Sequence, residues 1–182
     1  MSKKYELAKD DVIKYRGHRL HRIRAVRDFG DVKKGDLGGY IESEDNLSHD
    51  GLCWISGEAK VYDAACVCDD ARVYGDAEAY GNARVYGNAR VNGDKAEVFG
   101  KAEVYGNARV NGNARVYGEA EVFDNAEVSD NAWVFDNARV HGGAHVFDNA
   151  RVFDKAEVCD ALVYSEAKVC GDTLVYKEAK DY

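Results

Sequence analysis

The sequence predicts an all-β fold in which short strands coil end to end around one narrow core. Three observations lead there. A large aliphatic residue recurs about every six positions, as Ile55, Val61, Val67, Val73, Val85, Val91 and onward to Val175, with Ala79 standing in once. A small residue, usually Ala, stands two places before each of them. A pair such as Gly-Asn or Asp-Asn closes the unit. The alternation Ala-x-Val-x has the two-residue period of a strand, with Ala and Val inward and the residues between them outward. Gly and Asn tolerate a positive φ, so the closing pair reads as a corner. The next strand starts in the same inward register, which makes a coil and not a hairpin meander. A period of six puts Val on no single helical face, so a helix is excluded.

The elements follow in order. Residues 1–36 form a basic β-hairpin cap. "YELAKDDVIKYRGHRLHRIRAV" reads as two or three strands around Arg16-Gly17, shielding an N-terminal edge that would otherwise template aggregation. Residues 1–34 hold eleven Lys/Arg against five Asp/Glu, a balance of +6; the net charge of −8 then leaves −14 for residues 35–182. The repeats occupy residues 37–182. Ile41 and Leu47 read as early units, followed by an irregular stretch to Ile55. Two later steps break the period: Asn92-Gly93-Asp94-Lys95-Ala96 adds one residue, and Cys159-Asp160-Ala161-Leu162 removes one. At the end, Lys177, Glu178, Lys180 and Asp181 set charge on the C-terminal edge.

The unit Val85-Tyr86-Gly87-Asn88-Ala89-Arg90 resembles the hexapeptide repeat of the left-handed parallel β-helix, an acyltransferase superfamily typified by the bacterial UDP-N-acetylglucosamine acyltransferase. The likeness runs over residues 37–180. It implies a single-stranded left-handed parallel β-helix with three short strands per eighteen-residue coil, about eight coils in all. It also implies a homotrimer with ligands in the clefts between subunits. The stretch "KKGDLGGYIESEDNLS" resembles uncharacterised hexapeptide-repeat proteins of phage and bacterial genomes. That likeness implies residence in the host cytoplasm, where such a protein would sequester a small signalling molecule.

With three strands per coil, residues eighteen apart share a face. The first face stacks Arg72/Tyr74, Arg90/Asn92, Arg109/Asn111, Glu127/Ser129 and His145/Phe147. Three like charges on rungs about 4.8 Å apart repel by roughly 1 kcal/mol per neighbouring pair in water, so this face asks for an anionic neighbour. The candidate ligand site is therefore Arg72, Tyr74, Arg90, Asn92, Arg109, Asn111, Ser129 and His145. The Arg forks suit phosphate or carboxylate, Asn and Ser suit sugar or base edges, and Tyr74 and Phe147 suit stacking. A solvated Arg ladder, or one paired with a neighbouring subunit's carboxylates, fits the same letters. The second face carries an unbroken aromatic column: Tyr62, Tyr80, Phe99, Tyr117, Phe135 and Phe153. A strip that long is expected to be a subunit interface. Mutual stacking, at roughly 0.2–1 kcal/mol per pair, is its other use.

Composition narrows the function further. So acidic a body repels a nucleic-acid backbone. No apolar run approaches the roughly 18 residues a membrane helix needs, and no leader is expected. The five Cys, irregularly spaced, argue for a reducing cytosol and against a disulfide framework. Cys66 and Cys68 do not complete a four-ligand zinc shell, so no metal is expected. The resemblance raises coenzyme A-dependent acyl transfer with a His base, for which His141 and His145 are the candidates inside the repeats. They project from adjacent strands on different faces and lie beside no long insertion, whereas a base needs substrate held within hydrogen-bond reach. The expected function is a non-catalytic homotrimeric binding protein, without cofactor, holding a small anionic, nucleotide-like ligand. A coenzyme A-dependent acyltransferase and a structural assembly module are the alternatives.

Overall fold

The computed structural model describes residues 3–176, so the charged residues Lys177, Glu178, Lys180 and Asp181 lie outside the described residues. The chain opens with two strands, β1 (Tyr5–Tyr15) and β2 (His18–Ala25), which pair antiparallel. Their connection places Arg16 at φ 48 and Gly17 at φ 93. Two successive positive φ values give a turn whose twist matches the strands it joins. A third strand, β3 (Leu37–Ile41), runs antiparallel to β2 and parallel to the strand Lys60–Val61. The hairpin thus extends one wall of the coil. It also closes the end of the core: Tyr5, Ile23, Ala25, Phe29 and Val32 join Ile41, Leu47, Trp54 and Ile55 in one buried cluster. In the irregular stretch, a single 3-10 turn at Glu44–Asn46 buries Asn46. Its Oδ1 accepts from the Glu42 and Ser43 amides, and its Nδ2 donates to the carbonyls of Asp63 and Ala65. Four bonds from one side chain tie this segment to the next turn.

From Trp54–Ile55 to Leu174–Tyr176 the strands wind into three parallel walls. Two walls have seven strands; the third has ten, with β1, β2 and β3 included. The coil makes about eight turns. The count of eighteen holds: Val91 pairs with Val73 behind it, and nineteen letters on, across the inserted residue, with Val110. Gly93, at φ 132, absorbs that extra residue at a corner, so the inward face never flips. The Val and Ala columns are almost fully buried from Ala59 to Val158, because three walls this close leave room for small side chains only. Backbone bonds run from turn to turn, as from the Arg90 amide to the Ala108 carbonyl at 2.9 Å. Regular pairing is shorter than the four residues the alternation suggests. In most rungs it covers two, as at Lys60–Val61, since the corner takes the rest.

The corners correct the sequence reading. Gly or Asp, not Asn, adopts the positive φ, as at Asp63 (57°), Asp124 (59°), Asp136 (60°) and Asp154 (61°). Asn follows as the second residue of the turn, where Asn107 bonds Asn125 and Asn113 bonds Asn131. Asp is favoured because its carboxylate accepts the corner amide one turn on. Asp63 takes the Gly81 amide at 3.1 Å, Asp69 the Gly87 amide at 3.0 Å and Asp154 the Gly171 amide at 3.0 Å. A satisfied amide offsets the roughly 1–2 kcal/mol of left-handed strain.

Candidate anion-binding site

The first wall carries Trp54, Arg72, Arg90, Arg109, Glu127, His145 and Leu162 in register, so the three arginines occupy consecutive rungs. Their surroundings differ. Arg72 donates to the Asp31 carboxylate, which arrives from the loop closed by the Phe29–Val32 bridge. That hydrogen bond holds the Asp31 carboxyl below the usual range. Arg90 and Arg109 are exposed and have no carboxylate partner among the described residues. The next acid in the column, Glu127, accepts from Asn111 Nδ2 at 2.7 Å. Other arginines of the coil are matched at home: Arg84 with Glu103 at 3.2 Å, Arg115 with Glu97 at 2.8 Å, Arg139 with Glu121 at 3.7 Å. Arg151 lies over the Trp133 ring, 4.7 Å from its centroid.

Beside Arg72 and Arg90 lies an open cavity of about 360 Å³, lined by these two and by Asp31, Ser56 and Tyr74. Tyr74 pairs in register with Asn92. On the other two walls, rings stack in ladders with near-parallel planes and centroids 4.7–5.1 Å apart. One ladder runs from Tyr62 to Phe153, the other through Tyr86, Tyr105, Phe123 and His141. Stacked this way, rings cover one another's faces and show solvent their edges. Tyr74 has no ring neighbour among the described residues, because Asn92 and Ser56 stand where rings would continue a ladder.

The structure therefore gathers Arg72, Tyr74 and Arg90 around one cavity, with Asn92 on the same rung as Arg90 and Arg109 on the next. Asn111 spends its amide on Glu127. Ser129 and His145 lie two and three rungs beyond Arg90; His145 is then about 14 Å away and outside the reach of a small ligand. It lines a separate cavity of about 530 Å³ with Gly143, Leu162, Val175 and Tyr176. Phe147 is taken up by stacking on Tyr164. Two lining residues escaped the sequence reading. Asp31 lies outside the repeat, so no spacing assigns it a rung. Ser56 was legible by position, but nothing in its letter singled it out.

The aromatic column on the ten-stranded wall is partly covered by the chain itself. Tyr62 is 2% exposed, packed with Leu20 and Tyr40 and flanked by Ile13, Tyr15 and Tyr80. The hairpin extends this same wall, and its tip lays Arg16 over the Tyr80 ring. Tyr62 is thus an intrachain contact, not the subunit surface the sequence suggests; Phe99, Tyr117, Phe135 and Phe153 remain half-buried along the open part. The second ladder, through Tyr86, Tyr105 and Phe123, follows the same turn-to-turn spacing and stacks in the same way.

The two histidines do not converge. His141 and His145 sit on different walls. His141 stacks on Phe123 and turns Nε2 to Glu157 Oε1 at 2.7 Å. Its register partner, Cys159, is a poor nucleophile: desolvation, the hydrogen bond to Asp160 and the charges of Asp160, Glu157 and Asp124 push its thiol up. All five cysteines are free.

A family model described as the YdcK beta solenoid repeat matches residues 83–95 and 102–118. The chain is a β-solenoid repeat protein. No curated protein matches it. The matched segments include Arg90, Asn92, Arg109 and Asn111, whereas Asp31, Ser56 and Tyr74 lie outside them. The likeness is thus to the repeat, and the cavity is built where the solenoid meets the loop that carries Asp31. Among the described residues no helix is long and apolar enough to cross a membrane.

Proposed function

We propose that the solenoid is a non-catalytic binding protein that holds a small anionic ligand on its first wall. One observation carries this: Arg90 and Arg109, adjacent in register and exposed, lack carboxylate partners among the described residues, and Arg90 lines an open cavity. Guanidinium forks on neighbouring rungs suit the oxygens of a phosphate or carboxylate. Tyr74 offers an uncovered ring for a planar group, and the Asn92 side chain can bond such a group's edge. A nucleoside phosphate combines these features and is the ligand class we assign. Neither His141 nor His145 stands beside the cavity, so the reading needs no chemistry. Assembly into a homotrimer is part of the proposal; the half-buried ladder from Phe99 to Phe153 would bring a second wall across the cleft.

The test is native mass spectrometry of protein purified from cells, followed by thermal shift with inorganic phosphate and nucleoside phosphates. The expected result is a trimer retaining a small anion. The double variant Arg90→Glu/Arg109→Glu is expected to lose ligand-dependent stabilisation; unchanged stabilisation would refute the site.

A further inference from the structure

His18, Glu42 and Asp63 come from three places: the first residue of β2, the residue after β3, and the corner after Lys60–Val61. No sequence spacing links them. The pairing of β2 with β3, and of β3 with Lys60–Val61, brings one donor atom from each within 4.8 Å of the others.

The donors are held from behind. Glu42 Oε2 accepts the Asp63 amide at 2.8 Å, and Asp63 Oδ2 accepts the Gly81 amide at 3.1 Å. Each carboxylate keeps its other oxygen for the imidazole. Glu42 Oε1 lies 3.1 Å from Nδ1 of His18, and Asp63 Oδ1 lies 3.6 Å from Nε2. The buried Tyr62 ring rests against the imidazole, with centroids 4.8 Å apart. Outer contacts of this kind fix the orientation that a metal ligand needs.

Donor counting decides what belongs there. Ionised carboxylates only accept hydrogen bonds, and a neutral imidazole has one N–H and one lone pair. Between two carboxylate oxygens, a neutral ring leaves its lone pair facing an anion. The arrangement is complete when a positive charge enters it. We infer that His18, Glu42 and Asp63 form a divalent transition-metal site, with one imidazole nitrogen and two carboxylate oxygens as protein ligands and water in the remaining positions. Zn²⁺ and Co²⁺ accept such a nitrogen–oxygen set, whereas Mg²⁺ and Ca²⁺ favour oxygen alone. Bonds of about 2.1 Å in a tetrahedron set donors about 3.4 Å apart, so the three donor atoms, which lie within 4.8 Å of one another, would draw together around the ion. The ion would tie the hairpin to the first turns of the solenoid and act as a latch on its cap. This inference is independent of the anion site.

The experiment uses the full chain stripped of metal with a chelator. Zn²⁺ is titrated by calorimetry near neutral pH, and Co²⁺ is followed by visible absorption. One ion per chain is expected, with a rise in melting temperature. His18→Ala and Asp63→Asn are each expected to weaken binding at least about tenfold, while His145→Ala leaves it unchanged. Asp63→Asn keeps the corner, because Asn tolerates its φ and can still accept the Gly81 amide. Absence of saturable Zn²⁺ binding overturns the inference. Full affinity in both variants overturns it equally.

Discussion

Reversing one charge separates a binding role for the arginine column from a folding role. Arg90 lies between Arg72 and Arg109 in register. At about 4.8 Å, each like-charge pair repels by about 0.9 kcal/mol in water. Asp31 already answers the charge on Arg72, so the unrelieved pair is Arg90 with Arg109. Arg90→Glu turns that repulsion into attraction. Exposed pairs deliver well below the ideal figure, so the expected gain is about 0.5–1 kcal/mol. For a chain of this size that raises the melting temperature by about 1–4 °C. The assay is thermal melting at low and high salt, with and without phosphate. The gain should shrink at high salt, because the pair is screened there, and phosphate-dependent stabilisation should disappear. If Arg90→Glu melts lower than the parent chain, the column serves the fold. If phosphate still stabilises the variant, the ligand sits elsewhere. Either result refutes the reasoning.

Arg16 bridges Glu78 at 3.2 Å and Glu97 at 3.5 Å, two nearly buried carboxylates in register, while Tyr15 and Tyr62 also donate to Glu78. Arg16→Gln is expected to cost about 1–3 kcal/mol, discounted because Arg16 is itself half exposed, and to speed amide exchange selectively in β1 and β2. Gly106 has φ +69, and an added Cβ would stand 2.8 Å from the Asp124 backbone nitrogen. Gly106→Val is expected to cost about 2–3 kcal/mol, read as a lower urea midpoint. The phenols of Tyr15 and Tyr105 are pushed up to about 12, by burial first and then by their hydrogen bonds to Glu78 and Glu121. The folded state holds these protons more tightly than the unfolded state, so their contribution is full below pH 10 and drains away between pH 10 and 12. Alkaline melts should fall across that window, with phenolate absorbance lagging behind free tyrosine; a flat profile contradicts the assignment.

What could be read in advance follows from where each constraint resides. The walls, their register and the Arg72–Arg90–Arg109 column were legible, because a period of six with strict alternation leaves one way to bury Val and Ala. Corners were legible as corners, yet the letter at positive φ was misassigned. The carboxylate's bond to an amide a whole turn away does not show in a two-residue window. The hairpin was legible as strands but not by position. Its segment has no period, and its burial of Tyr62 and delivery of Asp31 to Arg72 depend on β2 choosing the edge of β3. The hand of the coil is absent from spacing altogether, since mirror-image coils share one period.

This contrast bears on where a repeat protein can acquire a ligand. Along an unbroken wall, outward side chains find partners on neighbouring rungs: Tyr86 donates to Glu103, Tyr105 to Glu121 and Lys101 to Glu119, while rings cover rings. Such a surface has few unsatisfied groups to offer. The candidate cavity appears where this self-matching stops, at Ser56 and Asn92 in place of rings and at two guanidiniums whose rung neighbours are not free acids. Restoring the match therefore tests the principle as well as the site. Asn92→Tyr would continue the ladder from Tyr74, adding roughly 0.2–1 kcal/mol of cross-rung stacking. It would close the uncovered ring to any planar ligand. The expected outcome is a chain that melts slightly higher and binds a nucleoside phosphate less tightly, with inorganic phosphate little affected because Arg90 and Arg109 remain. Should both anions weaken alike, Tyr74 does not stack the ligand and its ladder gap is only a lapse in the repeat.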